Sequence, residues 1–114
     1  MTIQTSTRLV GGIVIVDISG QLRLGAGTGR LREVVQQLVS DGYLKILLNL
    51  NGVIHIDSSG IGELMTIYTS LRNLGGDLKL MHLTKNVRNL LQVTRLYTIF
   101  DVHDDQSSAL KAFQ

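Results

Sequence analysis

The chain has 114 residues, which fits one domain, and 44% of them are hydrophobic, which is enough to bury a core. A formal net charge of +2, without any run of lysine or arginine, is too small a surplus to indicate nucleic-acid binding, so we expect no direct contact with nucleic acid. The lack of cysteine excludes disulfides and thiolate metal sites, and without a signal peptide or a long apolar segment we expect a cytoplasmic protein that does not insert into a membrane.

The first third of the chain predicts a hairpin followed by a helix. Residues 3–10 and 13–18 are β-branched and apolar, and the Gly11-Gly12 pair between them suits the positive φ angles of a tight turn. Residues 20–29 are rich in glycine and predict a flexible loop that faces a partner. A helix then ends at residues 40–42, with apolar residues at helical spacing: Leu31, Val34, Val35, Leu38 and Val39.

The middle of the chain predicts a central strand and a second helix. Residues 44–50 form a nearly continuous apolar run, which is typical of a strand covered on both faces. Asn51 and Gly52 predict a turn after it. The second helix ends at Gly75-Gly76 and carries an apolar stripe: Ile61, Leu64, Met65, Tyr68 and Leu71.

The last third predicts two strands and two helices. Residues 78–83 read as a strand, and Thr84 is placed to cap a third helix whose apolar residues are Val87, Leu90 and Leu91. Residues 100–102 predict a short last strand and residues 107–113 a last helix. A hairpin followed by alternating helices and strands indicates an α/β fold, in which a mixed β-sheet with an N-terminal hairpin is covered by about four helices. No linker interrupts residues 1–114, so we expect a single domain.

The segment that carries the functional information is Asp57-Ser58-Ser59-Gly60-Ile61-Gly62, at the junction of an apolar strand and a helix. A helix start presents unpaired N–H groups and a partial positive charge, and both favour a phosphate group. We expect the two glycines to let a partner or a kinase approach closely. The ordinary alternative is that these residues only cap the helix. Gly62, however, weakens a helix and so requires a reason.

This stretch, together with Leu47-Leu48-Asn49-Leu50, resembles the signature of the anti-sigma factor antagonists, which are STAS domain proteins. The resemblance covers nearly the whole chain, from residues 18–20 through residues 76–80 to the helix at residues 87–91. The six-residue motif is specific, whereas the flanking pattern is generic. The resemblance implies a single STAS domain over residues 1–114.

The resemblance also implies a switch. In the family the second serine of the motif, here Ser59, is phosphorylated by an anti-sigma factor that is a serine kinase, and Ser58 is the alternative acceptor. The unphosphorylated antagonist binds that kinase and frees the sigma factor, and a phosphatase restores this form. The implied partner surface consists of the motif and its neighbouring loop: Asp57, Ser58, Gly60, Ile61, Gly62 and Arg23. We expect no cofactor, and a monomer or a weak dimer when the protein is free.

Arg23 marks a departure from the family pattern. Members commonly read Gly-x-Leu-Asp after the second strand, where this chain has Gly20-Gln21-Leu22-Arg23, so a base replaces the usual acid. One hypothesis places Arg23 near Ser59, paired with Asp57 or with the phosphate. The alternative is a solvated loop arginine.

Three other functional classes compete with this interpretation. A binding module that is never phosphorylated could act as a scaffold in a stress-signalling assembly or as an accessory subunit of a membrane transporter. A receiver domain needs an acidic pair beyond its first strand, and Asp17 stands alone. An enzyme needs a nucleophile with a base and an orienting group, which no segment assembles. The histidines at 55, 82 and 103 lack metal-ligand spacing, so we expect them to be structural or on the surface.

Overall fold

The computed structural model describes residues 3–113, which form one five-stranded sheet with the strand order β1-β2-β3-β4-β5. The elements, in chain order, are β1 Ile3–Val10, β2 Ile13–Leu22, α1 Ala26–Ser40, β3 Lys45–Ile56, α2 Ser58–Asn73, β4 Asp77–Met81, α3 Lys85–Val93, a 3-10 turn Leu96–Thr98, β5 Asp101–His103 and α4 Gln106–Lys111. The predicted α/β class, with a hairpin, a mixed sheet and four helices, is confirmed.

The hairpin forms where the paired glycines predict it. Gly11 and Gly12 have φ angles of 57° and 83°, which an L-residue with a side chain rarely adopts. This two-residue turn joins β1 to β2 as an antiparallel pair in which Val10 lies opposite Ile13. The remaining pairs, β2 with β3, β3 with β4 and β4 with β5, are parallel.

The sheet has an apolar layer on each face. Residues such as Val16 and Leu48 point to one face and pack in a large core with α1, α2 and α3. Ile15 and Leu47 point to the other face, where a small cluster contains Ala109 from α4. Strand β3 is therefore covered on both faces, as its continuous apolar run predicts. Among residues 3–113, no helix is both long enough and apolar enough to span a membrane.

Two segments that were predicted as a turn and a loop belong wholly or partly to strands and helices. The predicted turn at Asn51-Gly52 is wrong, since β3 continues through both residues to its end and Gly52 pairs with Ser19. A Cβ on Gly52 would lie 2.7 Å from the Cβ of Ser19, so the glycine permits a close approach between two strands. The predicted loop over residues 20–29 is also wrong in length, because β2 includes residues 20–22 and α1 begins at residue 26.

The register between β2 and β3 explains why these two strands of different length end at the same edge of the sheet. Asp17 pairs with Asn49 and Gln21 pairs with His55, so β3 uses six steps where β2 uses four. Two irregularities in the ladder absorb the difference. As a result, the last residues of the two parallel strands lie side by side.

Smaller differences occur in the last third of the chain. Strand β4 ends two residues earlier than predicted, because His82 adopts a left-handed conformation with φ 58°. Thr84 precedes α3, but its hydroxyl does not cap the helix as predicted. It donates instead to the carbonyl of Val53 at 2.9 Å and so holds the start of α3 against β3.

Candidate functional site

The candidate site lies where β2 and β3 end next to each other. Leu22 pairs with Ile56 at the end of this parallel pair, and the N–H of Asp57 donates to the carbonyl of Leu22 at 3.4 Å. Arg23 and Asp57 are the next residues of the two strands. The parallel pairing therefore brings two segments that are distant in sequence to the same edge of the sheet.

Asp57 is the N-cap of α2. Its Oδ1 accepts a hydrogen bond from the N–H of Gly60 at 2.9 Å, in the usual geometry of a helix cap. Its Oδ2 accepts a second hydrogen bond from the N–H of Leu24 at 3.2 Å. One carboxylate thus connects the start of α2 to the segment that follows β2.

The same contacts lower the pKa of the Asp57 carboxyl. The amide of Gly60 has the largest effect, because it donates to the charged form. Partial burial opposes this shift, while the amides of Leu24 and Ser59 lower the pKa further. The positive charge of Arg23 adds a smaller lowering. Asp57 is accordingly ionised at neutral pH and brings a negative charge to the site.

Ser58 and Ser59 occupy the first turn of α2. Ser58 is exposed and Ser59 is partly exposed. Within residues 3–113, neither hydroxyl has a hydrogen-bond partner. Two hydroxyls that reach the surface at the positive end of a helix fit the chemistry of a phosphate acceptor.

Gly60 and Gly62 have different environments. Gly60 is buried, and a Cβ there would overlap the carbonyl oxygen of Leu22 and approach the Ile56 side chain at 2.8 Å. The expected role of Gly60 in admitting a partner is therefore wrong: the glycine is needed for packing α2 onto the end of β2. Gly62 is exposed, and a Cβ there would meet nothing within 4 Å. A partner role for Gly62 stays a prediction.

Ile61 lies in the hydrophobic core, with 4% of its surface exposed. The side chain belongs to the apolar stripe of α2 and does not contribute to the partner surface predicted for it. The helical spacing of this stripe places Ile61 inward, and the core packing observed here agrees with that spacing.

Arg23 is exposed and makes no ion pair within 4.0 Å in the described part of the chain. The predicted direct pair between Arg23 and Asp57 is therefore not formed. The amide of Leu24 occupies one carboxylate oxygen and the amide of Gly60 the other. Arg23 is nevertheless close enough for its charge to lower the pKa of Asp57.

Exposed apolar side chains flank the site, and the sequence reasoning missed them. Leu24 is 77% exposed beside Asp57, Ile54 is 56% exposed near the end of β3, and Val93 is 80% exposed at the end of α3. A groove of about 390 Å³ lies between the end of β3 and α3. Its lining residues are His55, Ile56, Asn86, Asn89, Leu90 and Val93. In the sequence, the sign of such a surface is an apolar residue shortly after the end of a strand, as Leu24 is after β2.

Comparison with known proteins agrees with this fold. The STAS domain model matches residues 4–109. A Thermotoga neapolitana protein, provisionally named as an anti-sigma factor antagonist homologue, is 30% identical over 107 residues, covering 94% of this chain and 95% of its own length.

Solved structures are similar as well. A crystal structure from Thermotoga maritima, provisionally named an anti-sigma factor antagonist, has a TM-score of 0.88 and 26% identity, covering 96% of this chain and 93% of its own. The Bacillus cell fate determinant SpoIIAA in its phosphorylated form has a TM-score of 0.72, covering 96% of this chain and 99% of its own. At 18% identity, this match shows the fold alone. With the family model spanning nearly all described strands and helices, this chain belongs to the STAS domain family.

Proposed function

We propose that this protein is an anti-sigma factor antagonist switched by phosphorylation of Ser59. In the unphosphorylated form it binds an anti-sigma factor that is a serine kinase and so frees the sigma factor. Phosphorylation releases it, and a phosphatase restores the binding form. The names of its relatives support the role, and the observation that carries it is the unpartnered Ser59 hydroxyl in the first turn of α2.

The free domain should stay folded when Ser59 carries a phosphate. A phosphoserine adds a charge of about −1.5 to −2, and a helix N-terminus stabilises such a charge by roughly 0.3–1 kcal/mol. The carboxylate of Asp57 opposes it, since two like charges then lie within one helical turn. Arg23 supplies a positive charge close enough to act on Asp57. Ser59 is partly exposed, so the phosphate keeps water around it and the fold survives.

A bound partner changes this balance. The exposed Leu24 is apolar and its amide contacts Asp57, so a partner that covers this side chain also removes water from the neighbouring serines. Burying an unpaired charge costs several kcal/mol, and a cost of ~4 kcal/mol weakens binding about a thousandfold. The same phosphate is therefore tolerated on the free protein and excluded from the complex.

The first experiment is mass spectrometry of the protein recovered from its native cells. Phosphate on Ser59 is the expected result. Phosphate on Ser58 alone would assign the switch to the neighbouring hydroxyl. Unmodified serines in every growth condition, in a protein still bound to a partner, would favour a binding module that is never phosphorylated.

The second experiment measures binding to the kinase that co-purifies with the protein. We expect Ser59→Ala to stay bound and Ser59→Asp to bind poorly. Ser107→Asp is the matched control, since Ser107 is exposed and stands two residues after the capping Asp105 of α4, as Ser59 stands two residues after Asp57. A folded Ser59→Asp protein that binds as tightly as Ser107→Asp would overturn the proposal.

A further inference from the structure

Strand β1 has a free hydrogen-bonding edge. It is the first strand of the sheet and, within residues 3–113, its ladder partner is β2, so the free part of the edge is considered over residues 5–9. The two-residue turn makes Val10 and Ile13 the first hydrogen-bonded pair, and the alternation of an antiparallel ladder then directs the backbone groups of Thr5, Thr7 and Leu9 away from β2. In the described part of the chain these three residues have no partner on that side.

The edge lacks the usual features that prevent strand pairing. Strand β1 is eight residues long and contains no proline. Its single charged residue is Arg8, whose Nε and Nη2 donate to the Asp17 carboxylate at 2.8 and 2.9 Å, on the sheet face opposite α1. That guanidinium is held over β2, so its charge does not hinder the pairing of another strand with the outer edge of β1.

Helix α1 leaves space beside this edge. A groove of about 520 Å³ runs between β1 and α1. The groove is lined by Thr5 and Thr7 of β1 and by polar and apolar residues of α1, among them Val34 and Leu38. A further strand added to β1 would therefore reach the free backbone groups and have room for its side chains below the helix.

We propose that the occupant is a second copy of this chain, paired through β1 about a two-fold axis to give a ten-stranded sheet. In the register centred on Thr7, this residue lies opposite Thr7 of the other copy, Thr5 lies opposite Leu9, and Ser6 lies opposite Arg8. Threonine pairs are favourable across strands, and no like charges meet. The edge is thus complementary to itself.

The charges of α1 are complementary in the same arrangement. Helix α1 connects the parallel strands β2 and β3, so it runs antiparallel to both of them. Because β1 is antiparallel to β2, α1 runs in the same direction as β1. The two-fold axis makes the two α1 helices antiparallel and brings Arg30, near the start of one, towards Asp41, after the end of the other. Both are exposed; Arg30 now approaches Glu33 only at 3.7 Å, and Asp41 accepts from Gln37 at 3.1 Å.

This interface does not involve the α2 N-terminus, so it is independent of the proposed function. Sedimentation equilibrium of the full chain at rising concentration tests it, with a monomer–dimer equilibrium as the expected result. A chain that stays monomeric up to about 1 mM, a Kd limit typical of very weak pairing, would overturn the proposal and leave the edge to an extended segment of another protein.

Two sets of variants connect the dimer to this edge. Thr7→Pro removes an outward N–H without breaking the pairing with β2, so we expect a monomer, whereas Thr7→Val keeps the N–H and should keep the dimer. Arg30→Glu should weaken dimerisation about tenfold, since two symmetric attractions become repulsions. The double variant Arg30→Glu/Asp41→Arg should restore it.

The charge swap also decides the outcome if Thr7→Pro fails to fold. If the wild-type protein dimerises and both Arg30→Glu and the double variant dimerise with the same affinity, the interface lies elsewhere and the proposal is overturned. A folded Thr7→Pro protein that dimerises as well as Thr7→Val would do the same.

Discussion

The carbonyl oxygen of Leu22 packs against the Cα of Gly60, and this contact joins the end of β2 to the first turn of α2. A methyl group on Gly60 would overlap the oxygen. Gly62, two residues further along the same helix, faces open space. The motif thus contains one glycine that packing requires and one that it does not.

This difference predicts opposite effects of the same substitution. We expect Gly60→Ala to lower the free energy of unfolding by about 1–3 kcal/mol, because backbone atoms must move to admit the methyl group. Gly62→Ala should raise it by up to about 1 kcal/mol, since alanine favours a helix interior and meets no atom there. Urea unfolding of the two variants measures both values. Equal stabilities would contradict the packing argument.

Asp57 should contribute to stability as a helix cap. Asp57→Ala removes the acceptor for the amides of Gly60 and Leu24, so we expect a loss of about 1 kcal/mol in the free energy of unfolding. Asp57→Asn keeps an acceptor oxygen and should lose less. Thermal unfolding of the three proteins gives the ranking, and an Asp57→Ala protein as stable as wild type would contradict the capping role.

The lowered pKa of Asp57 predicts a dependence of stability on pH. A carboxyl whose pKa is lower in the folded state binds fewer protons there than in the unfolded chain. Its contribution is complete above the ordinary carboxyl pKa of about 3.9 and is lost as the pH falls through the folded-state pKa. Urea midpoints between pH 6 and pH 2.5 should therefore fall more steeply for wild type than for Asp57→Asn. Parallel curves would show that this group does not titrate as described.

A buried carboxylate connects α1 to α2. Glu63 has a 4% exposed side chain, and its Oε1 accepts from the Nε and Nη2 of Arg32 at 3.1 and 2.5 Å. Removing the guanidinium leaves this charge without a partner, so Arg32→Met should be clearly destabilising in urea unfolding. Arg88→Met is the control, since Arg88 approaches Asp104 only at 3.6 Å on the surface.

The double variant Arg32→Met/Glu63→Gln separates lost charge pairing from lost packing. It should recover part of the stability that Arg32→Met loses, because glutamine carries no charge into the buried position. A double variant less stable than Arg32→Met would show that the Glu63 carboxylate is satisfied in another way.

Local sequence signals predicted the features that depend on neighbouring residues. The Gly11-Gly12 turn follows from two adjacent positive φ angles, and the start of α2 after Asp57 follows from cap chemistry. Features that depend on distant pairing were not predictable in this way. Gly52 looks like a turn residue until Ser19, 33 positions earlier, is known to lie beside it. For the same reason the packing role of Gly60 became visible only with the fold.

The candidate site was predicted more completely in its composition than in its arrangement. The motif identified the capping aspartate and the serines, and the apolar spacing of α2 indicated an inward Ile61 although the motif itself suggested a partner contact. Ile61 turned inward, and Leu24 emerged as an exposed apolar neighbour. The Leu24 amide reaches Asp57 only because two parallel strands end together. This hydrogen bond therefore depends on the register of the sheet, which local sequence does not show.

The uneven covering of the two faces of the sheet has a consequence for the lifetime of the protein in a cell. On the face opposite α1, the six-residue helix α4 packs over an apolar strip: Ile13, Ile15, Leu47 and Met81. A helix this short has few internal hydrogen bonds, so it stays in place mainly through its packing on this strip. Detachment of α4 would expose that strip to proteases and chaperones, so the packing of this one helix protects the whole face of the sheet.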